Sequence, residues 1–262
     1  MNCERRFSMN VYIKRFLENY FVFLGFLVLW ELLYLFQVVH SLILPSPHAV
    51  FVKFLLFFAE EEFFYNFLAT TLRVLVSFIL ATLLGVSFGL IFGFYTTLDR
   101  FTEKSIDFFR SIPGIVLFPL FILFLGVSDF SRIAVAITAS GVIILINTKY
   151  GLINSSKMRK HFYHLYKLKK STLLFKVLLP EACPYIFTGL RIAISVTLIV
   201  VIVTEMLLGT NYGLGQMLVN SQLQFETDTM YAVIILLGIT GSGITFLFNS
   251  IEKKIFHWRE EK

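Results

Sequence analysis

Two carboxylates, Glu31 and Glu205, lie inside long apolar runs of the sequence. An ionised carboxylate near the centre of a membrane-spanning helix costs about 2.5 kcal/mol or more, so each is a candidate proton or cation site. For Glu31 we favour a carboxyl that faces a neighbouring helix or is protonated. Glu205 comes near the end of its run, where a pore or gate role and simple solvation at the membrane interface both remain open.

The sequence lacks the residue sets that catalysis, metal binding or nucleotide binding require. His161 and His164 have no carboxylate or cysteine at ligand spacing, and no Ser-His-Asp or HExxH arrangement is present. Without a GxxxxGK(S/T) motif, the chain does not cradle the phosphates of ATP in the usual way. Cys3 and Cys183 are two isolated thiols. We therefore expect no catalytic residue, no metal site and no cofactor in this chain, and do not predict an enzyme.

A basic segment from Tyr150 to Pro180 contains no acidic residue. Apolar side chains recur there at helical spacing among lysines and histidines, and Ser171 or Thr172 can cap a second short helix that ends at Leu179. The pattern predicts a helix, a turn, a short helix and then an apolar span. The apolar side of the first helix must be covered, and docking on the membrane and docking on a partner remain open.

The composition places all of these residues in a membrane protein, because 57% of the residues are hydrophobic and only 15% are charged. A helix needs about 20 apolar residues to cross a bilayer. Six runs approach this length: Tyr20 to Val39, Leu72 to Tyr95, Pro113 to Gly126, Arg132 to Thr148, Tyr185 to Leu207 and Met230 to Phe248. The third is long enough only if it starts near Ser105 and is kinked at Pro113.

The distribution of basic residues predicts the orientation of these spans. If the third span starts near Ser105, 18 of the 23 lysines and arginines lie in the two tails and in the second-to-third and fourth-to-fifth connections. These regions are therefore predicted to be cytoplasmic, with both termini inside. We expect a cytoplasmic tail over 1–19, an all-α domain of six membrane-spanning helices over 20–250 that includes the segment 150–180, and a second tail over 251–262. Because the basic residues flank the spans, we expect contact with membrane lipid and not with nucleic acid.

Glycines in the second span recur at every fourth position. Gly85, Gly89 and Gly93 form two overlapping GxxxG steps on one face, which predicts close packing against another helix. We interpret Gly238, Gly241 and Gly243 in the sixth span in the same way.

Several short motifs resemble one protein family, and their order along the chain is that of the family. They run from about Trp30 to the C-terminus and comprise Leu44-Pro45-Ser46-Pro47, Thr71-Leu72-Arg73-Val74, Gly85 through Gly93, Arg110-Ser111-Ile112-Pro113, Pro119-Leu120, Leu125-Gly126, VLLPEACPYIFTGLRIA, Glu205-Met206 and Asn211-Tyr212-Gly213-Leu214-Gly215. Together they resemble the membrane permeases of ATP-binding-cassette importers of the nitrate, sulfonate and taurine type.

The resemblance implies a type I importer permease (MetI-like) fold and a homodimeric pore in the cell membrane. It also implies a separate ATPase subunit that holds ATP and Mg, and an external solute-binding protein that delivers the substrate. The substrates implied are small solutes: sulfonate, nitrate or taurine-like anions, or a pyrimidine-type vitamin precursor.

The resemblance further implies that the segment 150–180 docks on the ATPase. The residues expected to couple the two subunits are His161, Phe162, Tyr163, Leu165, Tyr166, Lys167, Leu179 and Pro180. The chain departs from the family here, because the family's Glu-Ala-Ala falls on His161 to Tyr163 and its turn glycine falls on Lys167. Pro180 and Pro184 are expected to form a stiff elbow that leads into the fifth span.

Two other functions compete with this interpretation. An ion-coupled secondary transporter could use Glu31 and Glu205 as its ion sites, but such carriers ordinarily show inverted repeats, and none is evident. A membrane-embedded enzyme would need a convergent nucleophile, acid and base, or a metal set.

Overall fold

A computed structural model describes residues 21–154 and 169–255, and in this part of the chain every regular element is a helix. The predicted all-α fold is confirmed. The predicted coupling residues His161 to Lys167 lie outside the described residues. The helices are α1 Phe21–Leu35, α2 Pro47–Leu56, α3 Glu61–Phe94, α4 Thr96–Ser111, α5 Phe118–Leu125, α6 Asp129–Ile153, α7 Lys170–Leu207, α8 Leu214–Leu223 and α9 Thr227–Ile255.

Four of these helices, α3, α6, α7 and α9, are long and apolar enough to cross a membrane. They correspond to the second, fourth, fifth and sixth predicted spans. The first predicted span corresponds to α1, a shorter apolar helix within the described residues. Many large apolar side chains of α3 and α9 are exposed on the protein surface, as expected of helices that face lipid, whereas most of those on α6 and α7 are buried or half-buried.

The third predicted span is not a single kinked helix. The helix α4 and the helical stretch Gly114–Leu125 meet at an angle of 87°. Ile112 is extended (φ −85°, ψ 118°), because the ring of the following Pro113 excludes the helical conformation. The chain therefore turns sharply at Pro113, and α4 has no buried residue.

The predicted break between a short helix and the fifth span is absent. The helix α7 runs without interruption from Lys170 to Leu207, with a π-helical turn at Leu174–Leu178. Pro180 has no N–H to donate and crowds the carbonyl group four residues earlier, and a widened turn directly before it accommodates both defects. Pro184 lies inside the same helix. The elbow predicted from these two prolines is therefore wrong.

The described residues cluster into two compact units. The first unit consists of residues 21–60 together with Leu218–Ile235. Within it, Nε1 of Trp30 donates a hydrogen bond to the carbonyl oxygen of Pro45 at 3.0 Å, and the rings of Trp30 and Tyr231 lie 5.6 Å apart.

The second unit contains the described residues of 61–217 and residues 236–255. Here α6 packs between α3 and α7. The glycine face of α3 lies directly on α6: a Cβ at Gly85 would come within 2.8 Å of the Gly141 carbonyl oxygen, and one at Gly89 within 2.6 Å of Cβ of Thr148. Gly93 approaches Leu152 in the same way, at 2.9 Å. Small residues allow this close approach because they remove the side chain that would separate the backbones.

The glycines of α9 behave differently from those of α3. No atom of a neighbouring element among the described residues lies within 4 Å of a Cβ built on Gly238 or Gly243, and Gly241 meets only Leu198, at 3.7 Å. A cavity of ≈ 640 Å³ separates this part of α9 from α7. The prediction of close packing at these three glycines is therefore wrong within the described residues.

Candidate functional site

A buried ion pair joins two of the spanning helices. NH1 of Arg73 on α3 donates to Oε1 of Glu205 on α7 at 2.6 Å. The Glu205 side chain is 0% exposed and that of Arg73 is 9% exposed. A buried ion pair is stable only when its remaining polar atoms are also hydrogen-bonded, so the other partners of both groups are decisive.

The carboxylate of Glu205 receives further hydrogen bonds from α3 and α8. The hydroxyl of Thr70 lies 3.0 and 2.9 Å from its two oxygens, and the backbone N–H of Gly215 donates to Oε2 at 3.0 Å. Thr70 in turn accepts from the backbone N–H of Leu214 at 2.8 Å. The carboxylate thus fixes the start of α8 against α3.

The guanidinium of Arg73 contacts the loop between α7 and α8 and the start of α6. Its NH1 donates to the carbonyl oxygen of Tyr212 at 2.8 Å, and its NH2 donates to the hydroxyl of Thr210 at 3.2 Å. Its Nε donates to Oδ1 of Asp129 at 2.9 Å. One side chain therefore contacts α6, α7 and the connecting loop.

A second arginine, Arg132, strengthens the same connection. Its NH1 lies 3.2 Å from the same Oδ1 of Asp129, and its NH2 donates to the carbonyl oxygens of Leu208 and Gly209 at 2.9 and 3.0 Å. We call Thr70, Arg73, Asp129, Arg132 and Glu205 the arginine cluster. It holds the α7–α8 loop on the ends of α3 and α6.

Two glycines allow this compact arrangement. A Cβ at Gly213 would lie 2.7 Å from Cδ of Glu205, and one at Gly215 would collide with the carbonyl oxygen of Ile202. The backbone N–H of Gly213 also donates to the side-chain oxygen of Asn66 at 2.8 Å. The Asn-Tyr-Gly-Leu-Gly motif found in the sequence is therefore the stretch that wraps around the Glu205 carboxylate.

A cavity of ≈ 600 Å³ lies beside the arginine cluster. Part of its wall is apolar, and the rest is formed by Arg73, Asp129, Arg132 and residues of the α7–α8 loop. Asp129 is the cluster member most open to solvent, with 56% of its side chain exposed. Within the arginine cluster, this carboxylate is therefore the group that the cavity exposes most.

The structure places the sequence-predicted residues in different settings. Glu205 is buried in the arginine cluster and is not solvated at an interface. Glu31 lies on α1, and it has no hydrogen bond or ion pair within the described part of the chain. Of the predicted coupling residues that the structure describes, Leu179 packs against the buried apolar residues Leu178 and Ala182, and Pro180 is exposed.

Sequence reasoning missed Thr70, Arg73, Asp129 and Arg132 as site residues; of the arginine cluster it singled out Glu205 alone. Arg132 was considered only as the first residue of the fourth predicted span. A signal was present, because a charged residue at the end of a span usually pairs with another. Arg73 and Arg132 lie near the starts of the second and fourth predicted spans, Asp129 lies just before the fourth, and Glu205 lies near the end of the fifth.

The spanning helices α6 and α7 carry members of the arginine cluster near one end. At the other end they are joined by the basic connection, residues 155–168. This arrangement in an all-α membrane chain is that of a transport permease. The chain belongs to the family described as binding-protein-dependent transport system inner membrane component, which matches residues 81–257. It is therefore the permease subunit of an ATP-binding-cassette importer and not an enzyme. The family implies an ATPase subunit, which uses ATP and Mg, and a solute-binding protein as partners.

Individual relatives agree with this assignment. The chain is 25% identical over 233 residues to the putative aliphatic sulfonates transport permease protein SsuC of Bacillus subtilis, covering 89% of this chain and 84% of that protein. It is 27% identical over 246 residues to the formylaminopyrimidine transport permease protein ThiX of Halalkalibacterium halodurans, covering 94% and 97%. An inward-facing structure of the MetNI methionine ABC transporter matches with a TM-score of 0.62 at 21% identity, over 75% of this chain and 99% of that one, which shows the fold.

Proposed function

We propose that two copies of this chain form the pathway through which a small solute, released by an external binding protein, crosses the membrane when a separate subunit hydrolyses ATP. The same helices reach both ends of this pathway. If residues 155–168 dock on the ATPase, the ends of α6 and α7 next to them would face it. The other ends of the same two helices carry Asp129, Arg132 and Glu205. This arrangement is the observation that carries the proposal.

A helix of the length of α6 can transmit movement from one end to the other. It has 25 residues and is about 37 Å long, enough to cross a bilayer. A displacement of residues 155–168 by the ATPase would reach the arginine cluster through α6 and α7 as rigid bodies. We therefore propose that the cluster, with Glu205 at its centre, forms part of the external gate, and that His161, Phe162, Tyr163, Leu165, Tyr166, Lys167, Leu179 and Pro180 take part in coupling.

The contacts of Glu205 do not favour an ion-coupled carrier. A proton or cation site must release its ion during each cycle, but Glu205 is 0% exposed and accepts hydrogen bonds from Arg73, Thr70 and Gly215. Protonation would remove the counter-charge of a buried arginine, which is costly. A structural role for this carboxylate agrees better with its setting.

We propose the orientation in which both termini and α4 lie on the cytoplasmic side and the arginine cluster lies outside. The positive-inside distribution of basic residues supports it. The helix α4 fits the membrane surface, because its apolar Phe101, Phe108 and Phe109 are all exposed and share one face opposite the charged residues. Lipid would cover that face.

The proposal for the substrate rests on the substrates named for the relatives and not on the residues that line the pathway. Their names refer to aliphatic sulfonates, bicarbonate and formylaminopyrimidine. We propose a small solute of this range: a sulfonate, nitrate or taurine-like anion, or a pyrimidine-type precursor.

Reconstitution of the permease with its ATPase and binding protein in liposomes tests the proposal. We expect ATP-dependent uptake of radiolabelled ethanesulfonate or a pyrimidine precursor that continues when an ionophore collapses the proton gradient. The isolated chain should not hydrolyse ATP, and the complex should contain two copies of it. Uptake driven by a proton or sodium gradient without ATP would support the secondary carrier instead.

A further inference from the structure

We infer that the ≈ 600 Å³ cavity beside Arg73 and Arg132 binds a small oxyanion, and that the Asp129 carboxylate occupies the position of its charged group in the structure described here. This inference rests on the proposed function, since it names the substrate class that the permease would receive at its outer end. It concerns a solute site in the permease chain itself.

The cavity has the size and the mixed lining of a small-molecule site. Binding cavities range from about 300 to 1,000 Å³ and combine an apolar wall with a few placed polar groups. Here Leu72, Val76 and Ile133 supply apolar surface, and the two arginines and the α7–α8 loop supply polar groups. A short alkyl chain with one anionic group fits such a wall.

Two guanidinium groups converge on one point of this cavity. Nε of Arg73 and NH1 of Arg132 lie 2.9 and 3.2 Å from the same oxygen, Oδ1 of Asp129. Any oxyanion that replaced this oxygen would receive two charge-assisted hydrogen bonds, which are the stronger kind. Asp129 can leave, because 56% of its side chain is exposed.

Other hydrogen bonds hold the guanidinium groups of the two arginines in place even if the Asp129 side chain moves out of the cavity. NH2 of Arg132 is held by the carbonyl oxygens of Leu208 and Gly209, and NH1 of Arg73 is held by Glu205. Their side chains are only 4% and 9% exposed. The donors are therefore preorganised, and binding an anion does not require them to be ordered.

Two further donors near the cavity have no acceptor within the described residues. Nε of Arg132 is buried without a hydrogen-bond partner, which is uncommon for a buried polar group. The exposed side chain of Asn211 also lines the cavity and makes no hydrogen bond in the part of the chain described. An oxyanion has several acceptor oxygens and can use more donors than a single carboxylate oxygen does.

The balance of charge selects an anion over a neutral or cationic solute. Glu205 neutralises Arg73 from its buried side, so Asp129 is the counter-charge available to Arg132. When Asp129 moves out, the wall keeps one uncompensated positive charge in a partly apolar cavity. A monoanion restores neutrality there, whereas a cation is repelled.

Protection of a thiol in the cavity wall tests the inference. The full complex carries Val127→Cys in a Cys3→Ser, Cys183→Ser background, and Val127 is an exposed residue of the cavity wall. The rate of N-ethylmaleimide labelling is measured with ethanesulfonate, and with ethyl methyl sulfone as the uncharged control of similar size. Leu207→Cys is the matched control reporter, because Leu207 is an exposed apolar residue at the end of α7 that does not line the cavity.

We expect saturating ethanesulfonate to slow labelling at Val127→Cys by about threefold or more and to leave the labelling rate of Leu207→Cys unchanged. The uncharged sulfone should slow labelling at Val127→Cys less than ethanesulfonate does. Asp129→Asn should lower the half-protecting concentration by about tenfold, because the competing charge is removed. Arg132→Gln should abolish protection. If Arg132→Gln does not fold, the result with Asp129→Asn still tests the inference.

Equal protection by the sulfone, or no protection by ethanesulfonate in either the parent or Asp129→Asn, would overturn the inference. Protection that is seen in lipid-free detergent but lost in phosphatidylcholine nanodiscs would show that a lipid phosphate occupies the cavity. That result would also overturn the inference. ATP-driven uptake is measured with the same reporter protein. Normal uptake without protection rejects the anion site in the cavity but not the proposed function. Protection without ATP-driven uptake rejects the proposed function but not the anion site.

Discussion

Arg73 and Glu205 are 132 residues apart in the sequence and 2.6 Å apart in the structure. They are also the charged members of two different motifs, Thr-Leu-Arg-Val and Glu-Met. Oε1 of Glu205 accepts from Arg73, Oε2 accepts from the backbone N–H of Gly215, and the hydroxyl of Thr70 lies within hydrogen-bonding distance of both oxygens. The pair therefore acts as the anchor that fixes the α7–α8 loop on the spanning helices.

Removal of one member of the pair should destabilise the permease strongly. Glu205→Ala leaves a buried guanidinium without its counter-charge, which costs about 3–5 kcal/mol. Thermal and denaturant unfolding of the detergent-solubilised protein measure this loss. The double variant Arg73→Leu, Glu205→Leu removes both charges and should lose less stability than the single variants Arg73→Leu and Glu205→Leu added together. Strict additivity would show that the two side chains are not coupled.

The glycine face of α3 should tolerate no side chain. Gly89→Ala places a Cβ 2.6 Å from Cβ of Thr148 and 2.9 Å from the carbonyl oxygen of Leu145, so α3 and α6 must move apart. We expect a loss of about 1–3 kcal/mol, measured as a lower melting temperature, and a larger loss for Gly89→Leu.

The matched control is Gly243→Ala on α9. Both substitutions put the same methyl group into an apolar helix, but no neighbouring element among the described residues lies within 4 Å of the Cβ position at Gly243. Alanine should be neutral or slightly stabilising there, because it restricts the unfolded chain. Equal losses at Gly89 and Gly243 would contradict the packing described for α3 and α6.

The sequence predicted the α3 glycine face, because the four-residue spacing of GxxxG is a local property of one helix. The same reasoning was wrong for Gly238, Gly241 and Gly243, since spacing alone does not show whether a partner helix is near. Pro180 was another local signal that misled us. A proline breaks a helix in its interior, but the π-helical turn before Pro180 lets α7 continue.

The arginine cluster was only partly predictable. Its motifs were visible, but the pairing of Arg73 with Glu205 depends on how α3 and α7 are arranged, which no local pattern determines. Asp129 illustrates the difficulty. It lies in a short connection that reads as a turn, and its role arises only because the starts of α6 and α8 approach α3.

Site-directed labelling should confirm the proposed orientation. Single cysteines at Lys157 and Lys262 should react with a membrane-impermeant reagent only after the cell is opened, and those at Glu61 and Gln222 should react in intact cells. The reason is the excess of lysine and arginine in the tails and in the basic connection. Labelling of the Glu61 and Lys157 positions from the same side would contradict the arrangement of spans.

The helix α4 should lie in the membrane surface and not in water. A nitroxide at Phe101, which is 77% exposed, should be accessible to oxygen dissolved in lipid, and one at Glu103 should be accessible to a water-soluble nickel complex. Phe101→Asp and Phe108→Asp should each weaken membrane insertion of α4, since a buried phenylalanine contributes about 1.5–3 kcal/mol. Close pairing between nitroxides at Phe101 in two copies would indicate that the second copy covers this face instead.

Coupling to the ATPase should depend on Phe162 and Tyr166 more than on the lysines around them. Both lie in the apolar stripe predicted for the basic segment, and bulky aromatic residues in a partner groove commonly contribute about 2 kcal/mol or more each to docking. We expect the double variant Phe162→Ala, Tyr166→Ala to insert normally, to lose ATPase on purification, and to lose uptake.

Two controls separate docking from folding at this segment. Charge reversal at Lys169 and Lys170 should act more gently and slow association in a salt-dependent manner, because exposed charges steer encounter more than they hold the complex. Lys167→Gly restores the family's turn residue, so it should be tolerated if the turn lies there and should be harmful if Lys167 is inside a helix. Co-purification of the ATPase and ethanesulfonate uptake are measured for each variant. Normal retention and normal uptake in the Phe162→Ala, Tyr166→Ala variant would show that the segment rests on the membrane surface and that the ATPase docks elsewhere.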